Sequence, residues 1–204
     1  MEKGPGMFDV DEFVHDCRAA LEESQPALAV KAILERAMCD TKLVAAALPA
    51  QRAEIVPLHV SPELTVLKVV WAPGMSFRPH NHLVWAAIGL YGGQENNVFY
   101  RRSEGGLAVS GARELRTGEV ALLGDSTIHA VTNPLQAFTG ALHVYGGNLP
   151  SLQGRSEWDD ETSRNSTTTS IGPCATSRLR TSRSASSPLN TRRRDRSAQM
   201  CTSS

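Results

Sequence analysis

Three histidines in the middle of the chain are spaced as metal ligands would be. His80 and His82 stand two apart in Gly74-Met-Ser-Phe-Arg-Pro-His80-Asn-His82. Residues i and i+2 of an extended strand share a face, so both imidazoles are predicted to point inward together. His129, in Gly118-Glu-Val-Ala-Leu-Leu-Gly-Asp-Ser-Thr-Ile-His129-Ala-Val-Thr-Asn133, is a third candidate from a neighbouring strand. Three imidazoles so placed would form a facial set and leave the far side of a cation open to substrate and to oxygen or water. Neutral imidazole suits Fe(II), Zn, Cu and Ni alike, so the donor type does not name the metal. Bonds of about 2.0–2.1 Å would bring the three donor nitrogens within about 3–3.5 Å of one another. A second pair two residues apart, His143 and Tyr145 in Ala141-Leu-His143-Val-Tyr145, also falls on one strand face.

These residues need strands to hold them, and the surrounding sequence supplies strand patterns. Leu64 to Trp71 is rich in β-branched residues and ends at Pro73-Gly74; Leu83 to Tyr91 is apolar and closes at Gly92-Gly93. Asn97 to Arg102, Leu107 to Leu115, Glu119 to Leu123, His129 to Thr132 and Phe138 to Tyr145 follow, separated by glycine-rich breaks. Short strands punctuated in this way predict an antiparallel sandwich or barrel, so the fold class is mainly β. Ahead of it, residues 8–48 read as helical. Asp9 or Asp11 can cap a segment carrying Phe13, Val14, Cys17, Ala20 and Leu21. Pro26 suits a first helical turn, with Leu28, Ala29, Ala32, Ile33 and Ala37 expected on one face. Asp40 is a candidate cap for a third short helix ending before Pro49. About 40 residues seldom bury a core alone, so these helices are expected to cover the barrel. The division is 1–50 helical cover, 51–162 barrel and 163–204 tail.

The tail is a different material. Of its 42 residues 18 are Ser or Thr, eight are Arg, and Asp195 is the one acid. Such a stretch buries too little apolar area to offset the entropy of ordering, and disorder is expected. Its abrupt onset after Thr162 is consistent with a frameshift, since suitable codons for Ser163 to Ser170 shift by one base into ordinary helical sequence. The formal charge of zero thus hides +7 in the tail and −7 in residues 1–162. An acidic body argues against a nucleic-acid surface on the folded part. No apolar run reaches the roughly 20 residues of a membrane span, and the first residues lack a signal-peptide pattern. Cys17, Cys39, Cys174 and Cys201 show no CxxC pairing, so no disulfide framework or cysteine zinc site is expected. A cytoplasmic protein, monomer or homodimer, with a small molecule as partner, is the expectation.

The spacing of Gly74, His80, His82 and Gly93, followed by Gly118, His129 and Asn133, resembles the two motifs of the cupin superfamily over roughly residues 64–146. The resemblance implies a double-stranded β-helix, a jelly-roll barrel with a metal inside. The motif's glutamate falls on Ala86, with Ala87 beside it. A cation held by three neutral donors keeps more of its charge and more open positions, which favours an anionic ligand such as a thiolate. Three histidines without the glutamate resemble the thiol dioxygenase branch, typified by cysteine dioxygenase and mercaptopropionate dioxygenase. Trp71, nine residues before His80, and the run His82-Leu-Val-Trp85-Ala-Ala-Ile-Gly are similar to features of that branch.

The branch also has a Ser-x-His-x-Tyr triad, which Ala141-Leu-His143-Val-Tyr145 resembles with the serine replaced. The resemblance therefore implies Fe(II) held by His80, His82 and His129, with O2 as co-substrate and a small thiol oxidised to a sulfinate. His143 would orient Tyr145, and Tyr145 would serve as proton donor. The family's carboxylate-binding arginine has no counterpart in Ile55-Val-Pro-Leu-His59-Val. Arg78, Trp71, Trp85 and Arg102, the last with Arg101, are the remaining candidates for substrate contact. The partner of a tyrosine crosslink in the animal enzyme corresponds to Ala87 or its neighbour, so none is expected. Two other readings stay open: a cupin using Zn, Mn or Ni for isomerisation or hydrolysis, and a non-catalytic cupin that binds a small molecule.

Overall fold

The computed structural model describes residues 6–158 and the backbone of residues 165–167. The helices are α1 (Val10–Ala19), α2 (Pro26–Met38) and α3 (Thr41–Ala47). Of the two aspartates that could cap α1, Asp9 does so: its Oδ1 accepts from the Glu12 amide at 3.0 Å. Asp40 caps α3 by accepting from the Leu43 amide at 3.3 Å. Pro26 occupies the first turn of α2, where no backbone N–H is needed. The buried stripe of α2 is Val30, Leu34 and Met38, rotated from the expected one, so that Leu28 and Ala32 are exposed. The cause is close packing on the sheet beneath. Leu34 sits so near Gly89 that a Cβ there would come within 2.8 Å of its Cγ.

The strands are β1 (Glu54–Val60), β2 (Thr65–Trp71), β3 (Ser76–Asn81), β4 (Ala86–Gly92), β5 (Gln94–Ser103), β6 (Gly106–Arg116), β7 (Val120–Leu123), β8 (Ile128–Thr132), β9 (Thr139–Tyr145), β10 (Ser156–Trp158) and β11 (Asn165–Thr167). They form two antiparallel sheets, ordered β1-β2-β9-β4-β7 and β11-β10-β3-β8-β5-β6. Apart from the β5–β6 hairpin, which stays in the second sheet, strands β2 to β9 alternate between the sheets, giving 2-9-4-7 against 3-8-5-6, the eight-strand double Greek key of a jelly roll. β1 and β10 were not anticipated as strands. β4 begins at Ala86 rather than Leu83, because Leu83 turns the chain with φ +60°. The expected disorder of 163–204 lies outside the described residues, apart from β11, which pairs with β10.

The first sheet is buried on both faces. Its barrel face carries Leu67, Val69 and Trp71 of β2, Ala86, Ile88 and Leu90 of β4, and Ala141 and Tyr145 of β9. The alternate residues Val66, Ala87, Leu142 and Val144 pack outward against Phe13, Cys17, Val30, Leu34 and Met38 of the helices. Burial on both sides explains why β2, β4 and β9 read as unbroken apolar runs. Lys68, on the helical side, is held by Glu54 Oε1 at 2.7 Å and the Pro49 carbonyl at 2.8 Å, tying the end of the helical segment to the sheet. The barrel interior is therefore dry and closed from one side. Among the described residues no helix is long and apolar enough to cross a membrane.

Candidate metal centre

Paired strands bring the three histidines together. His80 on β3 lies directly opposite His129 on β8, and His82 follows the end of β3. A bulge between Phe77 and His80 and the left-handed turn at Leu83 set where the pair points. The motif glycines on either side serve the backbone: Gly74 and Gly93 have φ +66° and +86°. One donor nitrogen from each histidine lies within 4.8 Å of the others. His80 Nε2 and His82 Nε2 are 3.1 Å apart, inside the separation expected for shared coordination; the bound for the full trio is wider.

The outer ring nitrogens fix which atom faces the centre. His80 Nδ1 donates to the Arg78 carbonyl at 3.0 Å, and His129 Nδ1 donates to Asn97 Oδ1 at 2.8 Å. Each Nε2 then holds a lone pair. His129 Nε2 is buried without a hydrogen-bond partner, and so is His82 Nδ1. The 3.1 Å between His80 Nε2 and His82 Nε2 admits either a proton shared in a hydrogen bond or a coordinated cation. Burial pushes the His80 imidazolium down to about 4 and holds His82 and His129 well below the ordinary histidine range. Neutral, preoriented and orphaned donors fit a bound metal ion.

The other sheet faces this trio with Tyr145, whose ring lies edge-on to His82 at 5.0 Å between centroids. Its hydroxyl and His143 Nδ1 are in hydrogen-bond contact at 2.9 Å. Burial, reinforced by the charge of Glu95, raises the phenol above its usual range, so it stays protonated at neutral pH. Glu95 on β5 escaped the sequence reading. It has no exposed surface and accepts from Trp71 Nε1 at 2.7 Å. Asn97 was missed as well, although strand alternation places Glu95, Asn97 and Phe99 on one face of β5. Phe99 stands opposite His129 across β5 and β8, with the rings nearly parallel at 6.3 Å. Asn133 has a structural duty: its side-chain amide donates to the Trp71, Ala72 and Ala137 carbonyls, pinning the loop after β8.

The substrate-contact candidates separate. Trp71 lies in the barrel core on Glu95, and Trp85 is half-buried against Gly146. Arg78 is half-buried and serves His80 through its carbonyl. Arg101 and Arg102 are exposed, and the Arg102 guanidinium stacks over Trp158 at 5.1 Å. The buried cation near the trio is Arg155, which the sequence reading did not single out. It is 5 % exposed, and its charge acts on His80, His82 and Tyr145. Arg155 precedes β10, whose Glu157 pairs with His80 of β3, and its Nε donates to the Leu152 carbonyl at 3.3 Å. The Ser156 amide donates to Asn81 Oδ1 at 2.8 Å and anchors this segment.

No protein-family model matches the chain. Solved structures similar to it include an oxalate oxidase, at 18% identity and TM-score 0.38 over 43% of this chain and 44% of that one. Another is an RmlC-like cupin family protein of Methanocaldococcus jannaschii, at 9% identity and TM-score 0.42 over 49% of this chain and 84% of that one. A third, from Bacillus halodurans, has 15% identity and TM-score 0.45 over 51% of this chain and 77% of that one. The chain thus spans less than half the length of that oxalate oxidase. Its strand order and three-histidine group define a jelly-roll barrel with a candidate metal site.

Proposed function

We propose that the protein is a mononuclear non-haem iron dioxygenase that oxidises a small thiol to its sulfinate. The observation that carries this reading is a trio of neutral imidazoles, His82 and His129 buried and His80 half-buried, with Ala86 and Ala87, not a carboxylate, in the neighbouring strand. Held by His80, His82 and His129, iron would supply the redox chemistry for O2 and make the thiol more acidic. The overall change, RSH + O2 giving RSO2H, places both oxygen atoms on sulfur and needs no external reductant.

The chain's own groups supply orientation and dryness. The Arg78 carbonyl and Asn97 hold the rings of His80 and His129. Tyr145 presents a neutral hydroxyl beside His82, and the double-sided burial of its sheet keeps water from that wall. Arg155 offers a buried positive charge that acts on His80, which favours a thiol carrying a carboxylate over cysteamine.

The test is anaerobic loading of the full chain with Fe(II), followed by oxygen uptake and sulfinate analysis across 3-mercaptopropionate, cysteine and cysteamine. Stoichiometric sulfinate, with the carboxylate thiols favoured, is expected. A fully iron-loaded sample that consumes no oxygen with any of them removes the assignment. Metal analysis of protein purified without added metal separates it from a Zn, Mn or Ni cupin of another reaction class.

A further inference from the structure

We propose that Glu95 is a positioning residue that fixes the tautomer of His143, and through it the direction of the Tyr145 hydroxyl. This inference rests on the reading of Tyr145 as a group that faces substrate. Ala141, two residues before His143 on the same face of β9, offers only a methyl group and no acceptor. The acceptor comes instead from the opposite sheet. Glu95 Oε1 lies 3.7 Å from His143 Nε2, too long for a hydrogen bond but close for opposite partial charges in a dry interior. His143 Nε2 is buried without a hydrogen-bond partner among the described residues, and Glu95 Oε1 is the acceptor that approaches it.

Glu95 Oε1, which takes the Trp71 hydrogen, is an acceptor, so the ring nitrogen that faces it is stabilised as N–H rather than as a lone pair. Trp71 holds the carboxylate in place by donating from Nε1 at 2.7 Å, reaching from β2 across the barrel to β5. With its proton on Nε2, neutral His143 presents a lone pair at Nδ1, and the Tyr145 hydroxyl 2.9 Å away donates to it. The lone pairs of Tyr145 Oη are then left to face the pocket. Tyr145 is thereby set to accept from a ligand's thiol or ammonium hydrogen, in contrast to the donor role that the sequence resemblance implies.

The test is the protonation pattern of the histidine ring nitrogens, read by long-range proton–nitrogen NMR on the full chain loaded with Zn(II) and without any thiol. In the wild type His143 is expected to carry hydrogen on Nε2 and none on Nδ1. Glu95→Gln keeps an oxygen at the Trp71 contact and should retain that pattern. Glu95→Leu should move the Nδ1 signal toward the protonated range. Should Glu95→Leu fail to fold, Glu95→Met, whose flexible side chain also brings no oxygen to His143, supplies the same comparison. A wild-type His143 protonated on Nδ1, alone or together with Nε2, overturns the proposal. An unchanged Nδ1 signal in the folded Leu variant, or in the Met variant in its stead, overturns it too. The measurement uses no turnover, so absence of thiol oxidation would remove the dioxygenase reading while leaving this assignment to stand or fall by the spectra.

Discussion

Replacing Asn97 by Ala isolates what a single buried hydrogen bond contributes to metal binding. Asn97 is 5 % exposed and His129 1 %, so neither water nor another side chain is at hand to replace the 2.8 Å contact between them. Without Asn97 Oδ1 the Nδ1–H of His129 is either left unpaired, at about 1–3 kcal/mol, or the ring turns to satisfy it. Turning swings Nε2 away from His80 and His82. Loss of an outer partner of this kind weakens metal affinity by about 10–100-fold, equivalent to about 1.4–2.7 kcal/mol. The two figures agree, as they should if the unpaired N–H is the main cost. Asn97→Asp keeps the acceptor and adds charge, so its affinity should equal or exceed that of the wild type. Competition with a chromogenic chelator for Zn(II) at pH 7.5 reads both variants, and urea melts of the metal-free proteins separate affinity from stability. Binding by Asn97→Ala within threefold of the wild type, with the fold intact, would refute the reasoning.

Acid should destabilise the metal-free chain. Unfolded histidine titrates near 6.5 and folded His80 near 4, so the unfolded state binds more protons between those values and stability falls as pH drops through the window. His80 alone accounts for about 3 kcal/mol by pH 4, with His82 and His129 acting in the same direction; urea melts at stepped pH should lose that slope when all three are changed to Gln. Arg155→Gln should raise KM for a carboxylate thiol by tenfold or more while leaving cysteamine turnover nearly unchanged; equal effects on both would place the arginine outside substrate binding. Gly93→Ala puts a Cβ 2.2 Å from Thr139 Oγ1 at a residue with φ +86°, and a loss of at least about 2 kcal/mol in denaturant melts is expected.

The residues legible in the sequence are those whose chemistry depends on local spacing. The two-residue step of His80 and His82 needs no more than strand geometry, and the caps at Asp9 and Asp40 need one helical turn. The apolar runs likewise mark β2, β4 and β9 as strands, although their burial on both faces emerges only with the helices in place. What escaped depends on register between distant segments. Asn97 becomes a partner of His129 because β5 lies beside β8, and Glu95 meets His143 only through the approach of opposite sheets. Arg155 arrives by way of a hydrogen bond spanning 75 residues, at a point where no periodic pattern marks the chain. The stripe on α2 was misjudged for a related reason: Gly89, outside the helix, decides which side of it packs.

All three imidazoles belong to β3, β8 and the turn after β3, whereas Tyr145 and His143 reach in from β9 on the facing wall. In the proposed function, anchorage of the ion and treatment of the bound molecule thus fall to separate walls. Variation along β9 could give such a barrel new reactivity while its grip on the cation stays as it was, and drift in β3 or β8 would loosen the ion first.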